Sequence, residues 1–322
     1  MSARDVRKRV LRRAGALVLR ALTTALRPVP LPAALALGRG LGDLARLVSR
    51  RRRGVAERNL RLAFGDALDD REIRRIVRES FRHFGMFAVE SMVIPFRSSE
   101  ELSRRLEVDG EEYLRDALRH GRGCLVVTAH FGAFELPGRW FSDRGYRMFS
   151  VARPARDEAT TRLMSEMRAR SRVHVVSTDR SLRPIVAALK GNGCVAIVCD
   201  QNATDLYIPF FGRLAGTAVG PARLALRTGA PMISAFTTRD GKGGYRATLR
   251  PLWHGTPSGD RKADERLIMG LVNDAIEAVI RRAPEQWLWF HDRWRSARKA
   301  AAEGRLPPAE GHALEHAPED RV

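Results

Sequence analysis

Cysteine is scarce in this chain, and its placement rules out two classes of site. Only three of the 322 residues are cysteines, and each falls in a short apolar segment of the kind that forms a buried strand. Cys194 and Cys199 are five residues apart on one such segment, which places their side chains on opposite faces. A disulfide framework and a metal site built on this pair are therefore excluded. We expect Cys124, Cys194 and Cys199 to be buried, reduced thiols.

The signature motifs of several enzyme classes are also missing. The sequence contains no H-E-x-x-H zinc motif, no G-x-S-x-G nucleophile elbow and no Walker-type phosphate loop. Gly38, Gly40 and Gly42 resemble a dinucleotide fingerprint, but they lie between helical segments and do not follow a strand. We therefore expect neither a bound metal ion nor a resident cofactor.

No uninterrupted apolar run is long enough to cross a bilayer, which takes about 20 residues. Arg20, Arg27 and three nearby prolines interrupt the N-terminal apolar stretch. That region also lacks a clean small-residue cleavage site, so no signal peptide is predicted. We expect a protein that stays on the cytoplasmic side and meets the membrane as a peripheral or monotopic protein.

Acidic residues are rare in the first fifth of the chain. Residues 1–61 hold 16 arginines and lysines against three acidic residues, which accounts for +13 of the formal charge of +20. Apolar residues recur among them at helical spacing, so residues 2–27 and 31–49 are predicted to be basic amphipathic helices. We expect residues 1–53 to attach to an anionic membrane surface. The alternative is that these arginines form the solvated face of ordinary packed helices.

Aromatic residues are absent from the same segment, since the first aromatic residue is Phe64. Proteins that bind single-stranded nucleic acid commonly interleave aromatic side chains with their basic residues, so that bases can stack on them. The absence of aromatics from the basic segment argues against a nucleic-acid partner and favours a membrane partner.

The rest of the chain alternates between apolar strand patterns and helical patterns. This alternation predicts an α/β fold, an αβα sandwich whose mixed sheet is mostly parallel. A turn at Gly241–Gly244 predicts an antiparallel hairpin at one edge of that sheet. We assign residues 54–299 to this domain and expect 300–322 to be disordered. The predicted strands are 124–130, 146–152, 173–176, 194–199, 231–237 and 244–251, and the predicted helices are 69–96 (one or two helices), 135–143, 156–170, 180–190, 217–228 and 263–282.

A histidine and a carboxylate follow the first predicted strand, in the sequence T-A-H-F-G-A-F-E from Thr128 to Glu135. Side chains at the carboxyl end of a buried strand face the crevice in which α/β enzymes bind their substrates. We predict His130 to be a general base and Glu135 to be the group that orients its ring. The alternative is a histidine bonded to a backbone carbonyl and a solvated glutamate at a helix start.

Four further stretches occur in a fixed order after this pair. They are D-Q at Asp200–Gln201, P-F-F-G at Pro209–Gly212, the segment Thr217–Gly220, and A-P-E-Q-W-L-W-F-H at Ala283–His291. Together with T-A-H-F-G-x-x-E they resemble the late acyltransferases of bacterial lipid A biosynthesis, a branch of the lysophospholipid acyltransferase superfamily. The resemblance covers about residues 30–296, and the Ala283–His291 stretch is its most specific part.

The resemblance implies a glycerol-3-phosphate acyltransferase-like αβα domain at the cytoplasmic face of the inner membrane. It implies transfer of an acyl chain from acyl carrier protein or coenzyme A to a hydroxyl of a lipid A precursor or related glycolipid. His130 would deprotonate that hydroxyl, Glu135 would stabilise the imidazolium, and the alkoxide would attack the thioester directly, without a covalent acyl-enzyme. Backbone N–H groups near Glu135, or a nearby arginine, would stabilise the oxyanion.

The resemblance also suggests substrate-binding residues. Arg153 and Arg170 occupy positions similar to arginines of the family, and either could bind a phosphate of the acceptor or of the donor's phosphopantetheine. The alternative is that both are surface arginines on a helix. Asp200 could orient Arg170 or a sugar hydroxyl, and Gln201 accompanies it; a turn or capping role for Asp200 stays open. The aromatic residues of the C-terminal motif, together with His291, are interpreted as packing and interface anchors.

Departures from the family pattern leave the acceptor open. Ala133 and Phe134 stand where the family commonly has asparagine and tryptophan. The acceptor could therefore be a lysophospholipid or a phosphatidylinositol mannoside instead. Two alternatives from other classes also remain, a catalytically silent lipid-binding homologue and a basic nucleic-acid-binding protein.

Overall fold

The computed structural model of the chain describes residues 15, 17–152, 158–177 and 182–306. The helices are α1 (17–26), α2 (Leu31–Val48), α3 (Arg50–Phe64), α4 (Asp70–Val93), α5 (Ser99–Arg105), α6 (Glu111–Leu118), α7 (Leu136–Asp143), α8 (Glu158–Arg170), α9 (Arg183–Lys190), α10 (Gly220–Thr228), α11 (Arg261–Arg282) and α12 (Arg295–Ala302). The strands are β1 (Leu106–Asp109), β2 (Cys124–Thr128), β3 (Met148–Ala152), β4 (His174–Ser177), β5 (Cys194–Val198), β6 (Leu206–Phe210), β7 (Arg213–Thr217), β8 (Met232–Arg239) and β9 (Tyr245–Trp253).

A seven-stranded mixed sheet forms the centre of the molecule, in the order β1-β9-β8-β2-β5-β3-β4. Every neighbouring pair is parallel except β8 with β9. The predicted α/β class is confirmed, and so is the hairpin between the last two strands. Its predicted position is wrong, however, because β1 pairs with β9 and forms the edge, so the antiparallel pair lies one strand inside the sheet.

The six predicted strands and the predicted long helices are all present, with ends shifted by a few residues. The sequence missed β1 and the separate antiparallel pair β6 and β7. Of the helix predicted over 2–27, residues 17–26 are helical, while 1–14 and 16 lie outside the described residues. Of the tail predicted to be disordered, residues 300–302 form the end of α12, and residues 307–322 lie outside the described part of the chain.

Two apolar clusters cover the two faces of the sheet. Cys199 belongs to one of them, and Cys124 and Cys194 belong to the other, as the offset between the last two cysteines predicted. All three thiols are buried and free, and burial raises the pKa of each. Among the described residues, no group of three histidine, cysteine, aspartate or glutamate side chains is arranged to hold a metal ion.

Helices α2 and α4 cross at glycines, so that their backbones approach closely. A Cβ atom added at Gly42 would lie 2.3 Å from the carbonyl oxygen of Phe81, and one added at Gly85 would lie 2.1 Å from that of Gly38. Both distances are far inside van der Waals contact. The glycine run that resembled a nucleotide fingerprint therefore allows α2 to pack directly against the backbone of α4.

We expect Gly42→Ala to destabilise the protein and Gly40→Ala to leave it equally or more stable. The added methyl group at Gly42 must push α4 away, and overpacking of this kind costs about 1–3 kcal/mol. Gly40 is exposed with no atom near its Cβ position, so alanine should gain up to about 1 kcal/mol of helix propensity. Thermal unfolding of the two variants provides the comparison. Equal midpoints would contradict the close crossing.

Candidate active site

The register of two parallel strands brings a histidine and an aspartate together. In the β2 and β5 pair, Thr128 lies opposite Val198. His130 and Asp200 each follow two residues later, so both leave the same edge of the sheet side by side. The Nδ1 atom of His130 lies 2.8 Å from Oδ1 of Asp200. We call these two residues the dyad.

The carboxylate of Asp200 is buried, with only 3% of its surface exposed, and it accepts hydrogen bonds at both oxygens. Oδ1 pairs with the ring of His130. Oδ2 accepts the backbone N–H of His130 at 3.0 Å and the indole N–H of Trp287 at 2.8 Å. A buried carboxylate is stable only when such donors replace the water it has lost. These contacts fix both its position and its orientation.

The pKa values of the dyad move in opposite directions. Burial by itself would raise the pKa of Asp200, but the charge and hydrogen bonds of His130, with the bond from Trp287, lower it to about 2. Burial by itself would lower the pKa of His130, yet Asp200, and to a lesser extent the charge of Glu135, raise it above its usual value. An ionised Asp200 accepts a hydrogen bond from Nδ1–H of the neutral ring, which leaves Nε2 without a proton and able to accept one.

A tight turn connects the dyad to α7. Gly132 has a φ of +55°, and a Cβ atom there would lie 1.8 Å from the carbonyl oxygen of Thr237. The N–H of Gly132 donates to the carbonyl of Gln286 at 2.9 Å, and that of Ala133 donates to Thr237 at 3.2 Å. Only glycine fits this conformation and this close approach. Pro137 lies in the first turn of α7, as the sequence predicted.

Glu135 does not bond the ring of His130. Its carboxylate forms an ion pair with Arg168 of α8, with Nη2 2.6 Å from Oε1. The group at Nδ1 of His130 is Asp200, so the orienting function that the sequence assigned to Glu135 belongs to Asp200 in the structure. The partners of the Asp200 carboxylate are His130 and Trp287, so it does not bond Arg170 and does not cap a helix, while its predicted contact with a sugar hydroxyl stays a prediction. Glu135 still acts on His130 through its charge, across the same cavity wall.

A cavity of about 720 Å³ opens beside His130. Its walls come from α4, from the segment that includes α7, from α8 and from residues that follow β5. The polar groups on its wall include His130, Glu135, Arg168 and Gln201. Most of the remaining lining is apolar, and it includes Phe87, Ile94, Phe141, Met148, Leu224 and Ala235. Cavities of this size and character bind small or elongated apolar ligands.

The other predicted site residues have different positions. Gln201 lies on the cavity wall beside the dyad. Arg170 instead stacks on Phe96, with its guanidinium carbon 5.0 Å from the ring centre. Arg153 lies outside the described residues.

The sequence did not predict the contact of Arg168 with Glu135 or the hydrogen bond of Trp287 to Asp200. Arg168 is one of many arginines on a helix, and nothing in its spacing distinguishes it. Trp287 belongs to the motif Ala283–His291, which the sequence analysis interpreted as packing. The specificity of this motif indicated that its residues matter to the family. The partner of the indole N–H is Asp200, however, which lies 87 positions earlier in the chain and cannot be read from the motif.

The chain matches the profile of a known family over residues 1–296, and that family is described as bacterial lipid A biosynthesis acyltransferase. It is 31% identical over 274 residues to the lipid A biosynthesis palmitoleoyltransferase of Escherichia coli strain K12, covering 83% of this chain and 87% of that one. It is 30% identical to the lipid A biosynthesis lauroyltransferase of the same strain, with the same coverage. It is 26% identical over 225 residues to a phosphatidylinositol mannoside acyltransferase of Mycolicibacterium smegmatis, covering 68% and 72%.

We expect Asp200→Asn to lower the pKa of His130. The substitution keeps the volume of the side chain but removes the charge that raises this pKa, and burial of the ring then dominates. A neighbouring opposite charge typically contributes about 1–3 pH units. Titration of the His130 ring by NMR measures the change, with circular dichroism as a check on folding. Glu135→Gln is the matched control and should produce a smaller decrease. An unchanged pKa in Asp200→Asn would contradict the dyad.

Proposed function

Because the chain belongs to the bacterial lipid A biosynthesis acyltransferase family and is an acyltransferase, we propose that it moves a fatty acyl chain from an acyl thioester to a hydroxyl of a lipid A precursor or related glycolipid. The observation that carries this proposal is the His130–Asp200 dyad at the wall of a largely apolar cavity. A general base and an apolar binding site are the two elements that such a transfer requires.

His130 acts as the general base. Asp200 accepts a hydrogen bond from Nδ1–H, so Nε2 is the ring atom that can take a proton. It accepts the proton of the acceptor hydroxyl while the hydroxyl oxygen forms a bond to the thioester carbonyl carbon. The tetrahedral intermediate then breaks its carbon–sulfur bond, and the thiolate leaves with the proton returned from Nε2. The raised pKa of His130 makes the ring a stronger base for an alcohol. No covalent acyl-enzyme forms in this sequence of steps.

Charge that develops on the carbonyl oxygen needs a donor in the cavity. Helix α7 begins at Leu136, directly after Glu135, and the start of a helix carries a partial positive charge. Arg168 contributes a guanidinium on the same wall, held there by Glu135. We assign the oxyanion to this region. In this mechanism Glu135 positions Arg168 for the oxyanion and does not bond Nδ1 of His130.

The apolar part of the cavity holds the acyl chain of the donor. An alkyl chain removed from water gains about 0.8 kcal/mol for each buried CH₂ group, so a long chain is held by contact area alone. The thioester then lies at the polar end, beside His130. The donor is an acyl carrier protein or a coenzyme A thioester, because both present the same thioester to such a cavity.

The acceptor is a glycolipid, and lipid A precursors are the first choice because the two most similar relatives named above act in lipid A biosynthesis. A phosphatidylinositol mannoside or a lysophospholipid is the alternative. Phe134 supports a modified acceptor site, since its ring stacks on Phe87 at 4.5 Å and contacts His130 edge-on at 5.2 Å. Mass spectrometry of total lipids with and without the gene identifies both the acceptor and the chain.

We expect His130→Ala to lose transfer activity while keeping its fold. Removal of a general base typically costs about 10² to 10⁴ in rate. Release of free thiol from an acyl thioester, in the presence and absence of acceptor, measures the loss. His120→Ala is the control, because His120 is exposed after α6. A folded His130→Ala variant that keeps more than about a tenth of the activity would refute this assignment. A wild-type protein that binds lipid without transfer would instead be a silent homologue.

The N-terminal helices support attachment to a membrane. No helix in the described part of the chain is both long enough and apolar enough to cross a bilayer. Helix α2 buries Leu31, Ala34, Gly38 and Gly42, and its other face carries exposed leucines. Exposed arginines follow at Arg50–Arg52, at the start of α3. The exposed apolar side chains of α1 and α2 are Leu17, Val18, Leu22, Leu37, Leu41, Leu44, Leu47 and Val48.

We propose that this apolar face and its arginines bind the anionic cytoplasmic surface of the inner membrane, as amphipathic basic helices do. Apolar burial and charge attraction then act together, and the protein attaches as a peripheral or monotopic protein. Helix α4 connects the N-terminal helices to the cavity, because it contacts α2 and also lines the cavity.

Full-length protein should float with anionic liposomes more than with neutral ones, and high salt should release part of it, because exposed charges are screened beyond about 10 Å at 0.1 M ionic strength. The double substitution Leu41→Asp and Leu44→Asp should reduce binding at least about tenfold, since each buried leucine contributes about 1.5–3 kcal/mol. Leu267→Asp, at an exposed leucine on α11, is the matched control. Binding that ignores lipid charge, or resists both salt and alkali, would contradict interfacial attachment.

A further inference from the structure

Residues 284–291 contact the ends of three strands at the edge where the dyad lies. The carbonyl of Gln286 accepts the N–H of Gly132, just after β2. The indole of Trp287 donates to Asp200, after β5, and Nε2 of His291 accepts the N–H of Asn202 at 3.0 Å. The side-chain amide of Gln286 pairs with the backbone N–H and carbonyl of Arg239 at the end of β8. We call residues 284–291 the brace.

We propose that Trp287 is a positioning residue, whose indole N–H holds the Asp200 carboxylate in the orientation that sets the basicity of His130. The proposal rests on the proposed function, because it assumes that His130 is the base. It goes beyond that function in assigning a chemical role to a tryptophan of the Ala283–His291 motif. Trp287 does not contact the reacting atoms and acts only through Asp200.

The geometry supports a positioning role for one particular hydrogen bond. Oδ2 of Asp200 receives the indole N–H of Trp287 and the backbone N–H of His130, so Oδ1 is the oxygen that remains for Nδ1. With only one of these donors the carboxylate could rotate about its Cβ–Cγ bond. The indole N–H also stabilises the negative charge of Asp200. The carboxylate then attracts the imidazolium less strongly, which limits how far the pKa of His130 rises.

Packing alone does not explain the difference between Trp287 and its neighbours. Trp287, Trp289 and Trp294 are all buried, and the rings of the first two lie 4.6 Å apart. The indole N–H of Trp289, however, donates to the carbonyl of Pro284 at 2.6 Å, away from the dyad. Trp289 is therefore a matched control, with equal burial and an equally satisfied donor but no bond to Asp200.

Several other charged or titratable groups act on the dyad. Glu135, which precedes α7, raises the pKa of His130. Cys199 at the end of β5, and His291 and Arg293 after the brace tryptophans, interact electrostatically with Asp200. Burial lowers the pKa of His291, so its neutral ring can accept the N–H of Asn202. None of these residues is altered when Trp287 or Trp289 is replaced, so the comparison isolates the indole bond.

The test compares Trp287→Phe with Trp289→Phe. Without the indole donor, the charge of Asp200 is less stabilised and attracts the imidazolium of His130 more strongly, so the pKa of the ring should rise. The acid limb of kcat/KM, below which His130 is protonated and inactive as a base, should then move up by about 0.5–1 pH unit. Activity on the plateau should fall roughly tenfold, as a loosened dyad loses its orientation. Trp289→Phe should keep the wild-type acid limb. Equal acid limbs in the two variants would overturn the proposal.

A measurement on the unmodified protein covers the case in which Trp287→Phe does not fold. The indole N–H resonance of Trp287, in protein with ¹⁵N-labelled tryptophan, should shift with the same midpoint as the ring of His130, while that of Trp289 stays constant. A Trp287 resonance that does not respond to the His130 titration would overturn the proposal. This measurement needs no turnover. A failure of the proposed chemistry, seen as activity retained in His130→Ala, is therefore distinguishable from a failure of positioning.

Discussion

The buried carboxylate of Asp200 is the constraint on which the candidate active site depends. An ionised group that is 3% exposed is stable only if donors replace its lost water, and here they come from His130 and Trp287. The three residues belong to different parts of the chain, so satisfying one charge fixes the end of β2, the end of β5 and the brace relative to one another. The same hydrogen bonds thus stabilise this edge of the sheet and set the geometry of the dyad.

Helix α4 connects the dyad's cavity to the N-terminal helices. One side of it packs on the glycines of α2 so closely that backbone meets backbone, and another side presents Phe87 and its neighbours to the cavity. Such a crossing fixes the position of α2 relative to α4, because no flexible side chains lie between the two backbones at the glycines. An apolar face on α2 is therefore held at a defined place relative to the cavity. That arrangement suits an enzyme whose acceptor is a lipid.

Most of the fold could be predicted because its central strands, such as β2 and β8, are buried on both faces, and the strands read as short apolar runs between helical patterns. β1 was missed because it has only four residues, two of them acidic, at the edge of the sheet. The β6 and β7 pair was missed because Pro209 argues against a strand, and only a two-stranded pair outside the main sheet accommodates it. At the site, His130 and Asp200 each come at the end of a predicted strand, and the carboxyl ends of parallel strands lie at the same edge of a sheet.

The sequence by itself determined the αβα class, the buried cysteines, the position of His130 at the carboxyl end of a strand and the family to which the chain belongs, because these depend on local pattern and on motif order. Only the tertiary structure decided which carboxylate bonds the ring of His130. Glu135 is five residues from His130 in the sequence, but the turn at Gly132 and the ion pair with Arg168 direct it elsewhere. Asp200 is 70 residues away and reaches Nδ1 because parallel strands align by register, which no local pattern encodes.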